Sequence, residues 1–405
     1  MDSQTSVAIR SFDHIARTLR RDSPVVTLFS GGLDSAYLLL SLRELGFTQV
    51  HALSVGIGAD ESVAEQAVIA GALGAQHHAL DRCDDFVRNF VTPAIRANAV
   101  YLDLHPVSST LSRPLIAATA VELASRLGAS AILHTANRSQ NTLRRLNRSL
   151  RDLAFAGHYG SPYDLDPIDR ETKLARLAEA GIRFGTDRSM SGDSNLWCRE
   201  FESGRLDDPE SHSAPEHIFE WSRITARPGD EDLITIRFDS GAPTEVDGRK
   251  MPLRDIISHL NSRVGAFGIG RFTGLEHLDG GQKVIEVREM PGATLLLRTA
   301  RHLESACLDA ETLRMKISLE QLWVREALEG RWFGDLRRAT DAFLLSATQP
   351  VTGSVTWRLT PGTAMTTAIV AASPLYLRDR EAWERDAIRA ERAALTTASL
   401  NGISA

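Results

Sequence analysis

Phe29-Ser30-Gly31-Gly32-Leu33-Asp34-Ser35 is the stretch on which the fold of this chain depends. The run before it, residues 24–29, is apolar and β-branched, which is typical of a strand that is buried on both faces. The run after it, residues 36–45, is rich in leucine and precedes Gly46, which predicts a helix with a glycine cap. Because a glycine turn between a strand and a helix leaves backbone N–H groups free, this stretch predicts a phosphate-binding site.

The glycine turn differs from a Walker A loop, since the chain contains no Gly-x-x-x-x-Gly-Lys-Ser/Thr sequence. Its spacing, Ser-Gly-Gly-x-Asp-Ser, resembles the PP-loop of the ATP pyrophosphatases, which cleave ATP between the α and β phosphorus atoms. The alternative is a Gly-Gly turn with a purely structural role. The complete signature between a buried strand and a helix favours the nucleotide site.

Composition indicates a globular protein that acts on small molecules. The chain has 405 residues, 43% hydrophobic and 24% charged, which is enough for a full core and for two domains. A net charge of −6 and a pI near 6.1 argue against nonspecific binding of nucleic acid or membrane surfaces. Three scattered cysteines predict neither a disulfide framework nor a zinc ribbon, and no apolar run suits a membrane span or signal peptide. We therefore expect a cytoplasmic protein with no nucleic-acid or membrane partner.

Short strands and helices alternate through the first half of the chain. The pattern predicts, in order, a leading helix at 6–20, a strand at 50–55, a helix at 62–73, a strand at 77–80, helices at 86–97 and 110–127, a strand at 131–134 and a helix at 170–180. Such alternation predicts an α/β fold, a doubly wound parallel sheet with its ligand at the carboxyl ends of the strands. The loops after Phe29, Val55 and His134 should therefore converge on the nucleotide.

The pattern changes near residue 185 to an α+β arrangement. The predicted elements are hairpins at 233–246 and 355–370 and helices at 253–260, from 291, at 310–328 and at 334–346. We therefore divide the chain into an N-terminal extension (1–22), a nucleotide-binding domain (23–185), an α+β domain (186–377) and a C-terminal helix (378–405). That last helix is charged and carries only Trp383, Ile388 and Leu395 as large apolar residues, so we expect it to dock on a neighbouring subunit.

Several motifs resemble those of one family, the argininosuccinate synthases. They are the PP-loop, Ser109-Thr-Leu-Ser-Arg-Pro114, Asp193-Ser-Asn-Leu-Trp197, Glu202-Ser-Gly-Arg-Leu-Asp-Asp-Pro209 and Gly268-Ile-Gly-Arg271. The similarity runs in register from about residue 23 to 377, and Asn-Leu-Trp followed by Glu-x-Gly-x-Leu is highly specific. The resemblance implies a PP-loop domain of the adenine nucleotide alpha hydrolase-like type, a synthetase/multimerisation domain, and a C-terminal oligomerisation helix within a homotetramer.

The resemblance also implies a chemistry. In the family, the ureido oxygen of citrulline attacks the α-phosphorus of ATP, pyrophosphate leaves, and the amine of aspartate displaces AMP. ATP and Mg²⁺ are expected, with Ser30, Asp34 and Ser35 as catalytic residues and Asp34 as the partner of the metal. The residues implied at the ATP site are Leu28, Phe29, Ser30, Gly31, Gly32, Leu33, Asp34, Ser35, Val55, His134 and Thr135.

The implied amine-donor site departs from the family pattern. The family's Thr-Gly-Lys-Gly-Asn-Asp loop is replaced here by Asn137-Arg-Ser139-Gln-Asn141-Thr142. Asn141 matches, whereas the carboxylate that binds the substrate ammonium has become Thr142. Because a hydrogen bond to a charged group contributes about 1.5 to 3 kcal/mol, recognition of aspartate in the family's manner should be weaker. The donor positions implied by the resemblance are Asn137, Ser139, Asn141 and Thr142.

The implied acceptor site departs further. Of the positions that contact citrulline in the family, three match, one is a near match, and three have exchanged tyrosine or serine for charged or imidazole side chains. In that order they are Arg145, Ser191 and Glu276, then Thr110, then His105, Glu200 and Arg288. Since a buried arginine requires an anion, this pattern predicts an acceptor that is more anionic or more polar than citrulline. The alternative is an ion pair between Glu200 and Arg288 that only fills space.

We therefore predict an ATP-dependent, AMP-forming carbon–nitrogen ligase. It would adenylate a ureido- or amide-type carbonyl and join it to an amine such as aspartate, with a substrate pair that differs from citrulline and aspartate, in specialised metabolism. The alternatives are a genuine argininosuccinate synthase of arginine biosynthesis and a non-catalytic protein that only senses ATP or another ligand. A tRNA-thiolating PP-loop enzyme fits poorly, because it would need catalytic cysteines and a basic face.

Overall fold

The structure is a computed structural model, and it describes residues 8–58, 62–184, 190–278 and 280–401. Within these ranges the chain forms a six-stranded sheet, a four-stranded sheet, a five-stranded sheet and a two-stranded ribbon. The domain boundary predicted near residue 185 lies outside the described residues, as does the start of the leading helix predicted at 6–20.

The first half of the chain carries eight strands and eight helices within the described residues. The strands are β1 (Ala8–Ile9), β2 (Val25–Leu28), β3 (Val50–Gly56), β4 (Gln76–Asp81), β5 (Val100–Tyr101), β6 (His105–Pro106), β7 (Ala131–Leu133) and β8 (His158–Gly160). The helices are α1 (Phe12–Thr18), α2 (Leu33–Glu44), α3 (Val63–Ala72), α4 (Cys83–Phe86), α5 (Thr92–Arg96), α6 (Ser109–Leu127), α7 (Asn141–Asp152) and α8 (Arg170–Glu179), with a π-helical turn at Val87–Val91.

The six-stranded sheet has the order β1-β8-β7-β2-β3-β4, and all of its strands are parallel. From β2 the chain proceeds outward through β3 and β4, whereas β7 and β8 lie on the other side of β2. The strand order therefore reverses between β2 and β7, which is where open α/β sheets bind their ligands. The prediction of a doubly wound parallel sheet is confirmed, and the glycine turn follows its central strand.

Two elements at the edge of this sheet were not predicted. Residues 8–9 form strand β1 and not the start of a helix, because Ile9 is buried and pairs in parallel with Gly160 of β8. A Cβ atom at Gly160, whose φ is +144°, would lie 2.1 Å from the carbonyl oxygen of Ile9. The close approach of the two strands therefore depends on a glycine, and strands this short leave almost no periodic signal in a sequence.

The second half of the described chain carries nine strands and five helices. The strands are β9 (Ser191–Asn195), β10 (Cys198–Glu202), β11 (Asp232–Asp239), β12 (Ala242–Val246), β13 (Arg249–Lys250), β14 (Arg271–His277), β15 (Lys283–Glu289), β16 (Gly353–Thr360) and β17 (Thr363–Ala371). The helices are α9 (Leu253–Gly265), α10 (Pro291–Cys307), α11 (Ala310–Leu328), α12 (Asp335–Ala347) and α13 (Arg380–Asn401). Both predicted hairpins, β11–β12 and β16–β17, and the predicted helices are confirmed.

The four-stranded antiparallel sheet, in the order β14-β15-β10-β9, was not predicted. Strand β9 reads Ser-Gly-Asp-Ser-Asn and β10 reads Cys-Arg-Glu-Phe-Glu. Neither sequence has the alternation of apolar and polar residues that predicts a half-buried strand. Several of their polar side chains, among them Asp193, Glu200 and Glu202, line a cavity, so hydrophobicity does not mark the inward face of these strands.

A single hydrophobic core joins the two halves of the chain. It runs from Leu111 and Leu115 of α6 to Trp197, which follows β9, and to Trp323 of α11. Trp197 and Trp323 are essentially inaccessible, and burying one such side chain stabilises a fold by roughly 1.5 to 3 kcal/mol. This core holds the four-stranded sheet against the carboxyl ends of the parallel strands. Within the described part of the chain, none of the helices combines the length and apolarity that a bilayer crossing requires.

Candidate functional site

A cavity of about 300 Å³ lies between the carboxyl ends of β2, β3 and β7 and the four-stranded sheet. The loops after Phe29, Val55 and His134 all reach it, as predicted. The lining includes thirteen of the residues predicted for the ATP, donor and acceptor sites: Leu28, Phe29, Ser30, Val55, His134, Thr135, Ser139, Asn141, Thr142, Arg145, Ser191, Glu200 and Glu276.

The other predicted site residues lie next to this cavity or behind its wall. The residues from Gly31 to Ser35 form the turn and the first residues of α2, beside the cavity mouth. Asn137, Thr110, His105 and Arg288 are not among the lining residues, and the last three are almost completely buried. The structure thus brings the three predicted sites together at one cavity, while two of the changed acceptor positions lie behind its surface.

The hydroxyl groups of Ser30 and Ser35 form hydrogen bonds with the backbone of the glycine turn. Gly31 adopts a φ of +75°, and Gly32 precedes α2 without a side-chain cap among the described residues. The N–H of Gly32 donates to Ser30 Oγ at 3.3 Å, and Ser35 Oγ donates to the carbonyl of Gly32 at 3.0 Å. The first N–H groups of α2 therefore point outward without a side-chain acceptor, which is the arrangement that binds phosphate.

Asp34 has an ion-pair partner that the sequence did not reveal. Lys173 of α8 lies 2.9 Å from Asp34 Oδ1, and the Tyr163 hydroxyl donates to the Asp34 carbonyl at 2.9 Å. Lys173 is 8% exposed, with its Nζ over the Tyr163 ring. The only signal was its position one turn before the buried Leu177 on an otherwise polar helix. The second carboxylate oxygen of Asp34 accepts no hydrogen bond from a described residue, so it remains available to a hard cation.

The loop after β7 holds the predicted donor residues in a network of hydrogen bonds. Asn137 Oδ1 accepts from the backbone N–H and the hydroxyl of Ser139, so Asn137 shapes the loop and does not line the cavity. Asn141 donates to the carbonyl of His277 at 2.8 Å. Thr142 Oγ1 accepts from Arg113 Nε at 3.2 Å, and the same guanidinium contacts Asp193 at 2.5 Å. A cation thus lies beside the position where the family has a carboxylate.

Two of the three acceptor residues that match the family, Arg145 and Glu276, bind each other. Arg145 donates to Glu276 Oε1 at 3.2 Å, to Ser109 Oγ at 3.2 Å and to the carbonyl of Leu328 at 3.1 Å. Arg145 is 3% exposed, and Glu276 is also buried. Both residues of the pair line the cavity.

Arg288 is held by carboxylates of the chain itself. It lies directly across from Glu200 in the pairing of β10 with β15 and donates to Glu200 at 2.6 Å. It also donates to Glu286, two residues before it, and lies 3.7 Å from Glu276. The ion pair between Glu200 and Arg288 that the alternative requires is therefore present. The anion that a buried Arg288 requires does not have to come from a substrate, and Glu286 is a further site residue that the sequence did not reveal.

His105 lies behind the acceptor wall and packs against Phe272, with ring centroids 4.7 Å apart, and against Tyr101. Burial, reinforced by the positive charge of Arg288, lowers the pKa of His105 to about 3, so its imidazole is neutral. The prediction that His105 contacts the acceptor is not supported by its position, because it is absent from the cavity lining.

Carboxyl groups in the cavity wall have displaced pKa values. Burial and the hydrogen bond with Glu276 raise the pKa of Glu286, although the charge of Arg288 opposes this. Burial opposes ionisation of Glu276, but that hydrogen bond and the charges of two arginines lower its pKa overall. Burial also raises the pKa of Glu202, and the hydrogen bond from Gln140 offsets this only in part. The carboxyl groups of this wall therefore differ in how readily they ionise.

Comparison with known proteins agrees with this architecture. A family model described as the arginosuccinate synthase N-terminal HUP domain matches residues 24–182, and one described as the arginosuccinate synthase C-terminal domain matches residues 190–405. Argininosuccinate synthases from Methanopyrus kandleri, Rubrobacter xylanophilus and Pyrococcus furiosus are 35%, 33% and 32% identical to this chain. These matches cover 89%, 94% and 87% of this chain and 91%, 94% and 86% of the relatives. The chain therefore belongs to the argininosuccinate synthase family of ATP-dependent carbon–nitrogen ligases.

Proposed function

We propose that this protein adenylates a ureido- or amide-type carbonyl with ATP, releases pyrophosphate, and joins the activated carbon to an amine, with a substrate pair other than citrulline and aspartate. One observation carries the proposal. An open glycine turn adjoins the cavity at Ser30, and Glu200 and Glu286, which bind Arg288 behind them, also line it. The glycine turn supports cleavage of ATP to AMP and pyrophosphate, whereas the charged side chains support an acceptor other than citrulline.

The chain's own groups would act mainly by positioning. The N–H groups at the start of α2, with the hydroxyls of Ser30 and Ser35, would bind the phosphates of ATP. The acceptor carbonyl oxygen would then bond to the α-phosphorus as the bond to pyrophosphate breaks. In the second step the amine nitrogen would bond to the activated carbon, lose its proton, and displace AMP together with the original carbonyl oxygen. Holding the reactants in line within one enclosed cavity supplies most of the rate enhancement of such transfers.

We further propose that Asp34 holds Mg²⁺. The carboxylate suits a hard cation that takes one or two protein carboxylates and completes its coordination with phosphate oxygens and water. Bound Mg²⁺ supplies positive charge that offsets the charge of the departing pyrophosphate. Lys173 would remain beside Asp34 and add a second positive charge at the same end of the cavity.

A genuine argininosuccinate synthase is the second candidate. It is favoured by the paired Arg145 and Glu276, by Ser191 in the cavity lining, and by relatives that carry this name. A matrix of ureido and amide acceptors against amines, including citrulline with aspartate, separates the two. We expect AMP and pyrophosphate in equal amounts, and one pair whose kcat/KM exceeds that of citrulline with aspartate at least ~10-fold, or about 1.4 kcal/mol.

Two results of that screen would reject the proposal. If citrulline and aspartate react as well as any other pair, the protein is an argininosuccinate synthase with an altered pocket. If no pair yields AMP while ATP still binds, the protein is a non-catalytic homologue. Mass spectrometry of the joined product identifies the new carbon–nitrogen bond in the positive case.

We also propose a cytoplasmic homotetramer in which α13 contributes to assembly. The large apolar side chains Trp383, Ile388 and Leu395 are 55%, 47% and 60% exposed. A helix that buries so little of its own apolar surface gains little stability within one chain. A chain truncated after Arg378 should therefore assemble less completely than the full chain, as measured by light scattering. An unchanged oligomeric state would reject this role for α13.

A further inference from the structure

The acceptor end of the cavity carries more carboxyl groups than arginines. Among the described residues, five carboxyl groups line it, whereas two arginines line it and a third lies directly behind. The carboxyl groups belong to Asp193, Glu200, Glu202, Glu276 and Glu286, and the arginines are Arg113, Arg145 and Arg288. A ligand at this end therefore meets more carboxyl groups than guanidinium groups, and those carboxyl groups that are ionised favour positive charge in the ligand.

Each of these arginines is already engaged. Arg113 pairs with Asp193 at 2.5 Å, and Arg145 pairs with Glu276 at 3.2 Å. Arg288 pairs with Glu200 at 2.6 Å and also with Glu286. Their positive charges are therefore offset within the protein. A substrate carboxylate at this end would have to displace a carboxylate of the chain and would then lie against the rest.

Two neighbouring glutamates on β10 still have unused acceptors. Glu200 and Glu202 are two residues apart, so their side chains emerge on the same face of the strand, with Cα atoms about 7 Å apart. Phe201 between them packs into a separate hydrophobic cluster. Oε1 of Glu200 accepts from Arg288, and Oε1 of Glu202 accepts from Gln140 at 3.3 Å. Neither Oε2 accepts a hydrogen bond from a described residue.

Glu200 is 8% exposed, and both side chains line the cavity. A ligand that fills the cavity would exclude water from these two oxygens, so this wall favours a ligand that brings N–H donors of its own. An ammonium offers three such donors and a guanidinium five, and both form short charge-assisted bonds with carboxylates.

We propose that the acceptor carries a cationic group, an ammonium or a guanidinium, at the end remote from its reactive carbonyl, and that Glu200 and Glu202 bind this group. The inference rests on the proposed function and names the substrate class for the same site. The sequence suggested an acceptor more anionic or more polar than citrulline; the proposal replaces the anionic possibility, because the buried Arg288 is already bound by the carboxyl groups of Glu200 and Glu286.

Three ureido compounds that differ in their remote charge test the proposal on the full chain. Carbamoylputrescine is cationic there, citrulline is zwitterionic, and ureidovalerate is anionic. Binding is measured by calorimetry in the presence of α,β-methylene-ATP, which prevents cleavage. We expect carbamoylputrescine to bind at least ~10-fold more tightly than ureidovalerate, with citrulline between them. Equal or tighter binding of ureidovalerate would overturn the proposal, as would no binding of any of the three while the nucleotide analogue binds.

Substitution of Glu202 identifies the group responsible. Within the described part of the chain Glu202 forms no ion pair with an arginine, so Glu202→Gln leaves the pairs of Arg113, Arg145 and Arg288 in place. We expect the ratio of the affinity for carbamoylputrescine to the affinity for ureidovalerate to fall at least ~10-fold in this variant. The matched control is Glu122→Gln, because Glu122 lies on the surface with its side chain 51% exposed. The control variant should show the same ratio of affinities as the unsubstituted protein. An unaltered preference in Glu202→Gln would contradict the assignment.

Proton release offers a second readout. Burial raises the pKa of Glu202, as do Glu200 and Glu276, while the hydrogen bond from Gln140 lowers it. The nearby pair of Arg113 and Asp193 also faces this carboxyl group, with opposite charges.

A bound cation favours the carboxylate, so binding of carbamoylputrescine should release a proton. Its affinity should rise with pH up to the raised pKa of Glu202 and then become constant. Calorimetry in buffers of different ionisation enthalpy measures the release, and Glu202→Gln should abolish it. Absence of release in the unsubstituted protein would contradict the proposal. These readouts do not require turnover, so they succeed or fail independently of the screen for AMP.

Discussion

Replacement of Asp34 by alanine is expected to lower the rate of pyrophosphate release at least ~100-fold, because a carboxylate that holds positive charge against the leaving group acts mainly in the transition state. The position of Asp34 supports this role, since it stands beside the glycine turn at the start of α2 and has one oxygen without a partner among the described residues. The measurement is single-turnover formation of AMP with saturating ATP.

Lys173 provides the matched control for this prediction. If Asp34 served only to bind Lys173, then Lys173→Met and Asp34→Ala would lower the rate to the same extent. We expect Lys173→Met to retain at least ~10-fold more activity than Asp34→Ala, because it leaves the carboxylate free to hold a metal ion. A loss below ~10-fold in Asp34→Ala would reject its assignment as a catalytic residue.

Replacement of Gly31 by valine is expected to lower kcat/KM for ATP at least ~100-fold, through loss of the backbone donors that the turn presents. Gly31 has a φ of +75°, and a Cβ atom there would lie 2.9 Å from Cγ of Gln66. Gln66 is buried and donates to the carbonyl of Ser30 at 3.2 Å. A β-branched residue at this φ costs roughly 1 to 3 kcal/mol in backbone strain. The turn must therefore change shape or displace Gln66.

Gly71 is the matched control, because it lies in α3 with open space where a Cβ atom would be placed. Gly71→Ala should leave kcat/KM unchanged and should stabilise the fold by about 0.5 to 1 kcal/mol. Thermal unfolding of both variants distinguishes a damaged turn from a damaged fold. Normal ATP kinetics in Gly31→Val would show that this turn does not bind the phosphates.

The elements predicted most accurately from sequence are those buried on both faces. Strands β2, β3 and β7 consist mainly of apolar residues. Among the helices, α11 was predicted at its observed bounds because its start and its periodicity are clear. Helix α7 was missed, although Leu146 and Leu150 are buried one turn apart, because arginine and asparagine dominate the rest of it. Composition of this kind resembles a loop until the tertiary contacts of the helix are known.

Site residues could be predicted from sequence where they lie in or near a recognisable motif. They could not be predicted where their role depends on which strands pair. The motifs identified Arg145, Glu276 and Glu200, and the structure brings them to one cavity. Glu286 was missed because its role follows from the register of β15, which places it two residues from Arg288 and opposite β14. Lys173 was missed because it reaches Asp34 from a helix more than a hundred residues away.

The charge that we expect of the acceptor also differs between sequence and structure, because strand pairing decides which side chains meet. From the sequence, an arginine at position 288 in place of the family's tyrosine indicated an acceptor more anionic or more polar than citrulline. In the structure, Glu200 and Glu286 surround that arginine, and Glu202 keeps an unused oxygen on the same wall. The net charge of a pocket depends on every side chain that lines it, and those residues come from distant parts of the chain.

The most direct test of the central claim follows the acceptor's carbonyl oxygen. The best acceptor from the substrate screen is prepared with a heavy isotope of oxygen in its carbonyl, and the AMP formed is examined by mass spectrometry. Adenylation of the carbonyl predicts that the heavy oxygen is recovered in the phosphate of AMP, with pyrophosphate as the other product. AMP without the label, or ADP and phosphate in place of AMP and pyrophosphate, would contradict it.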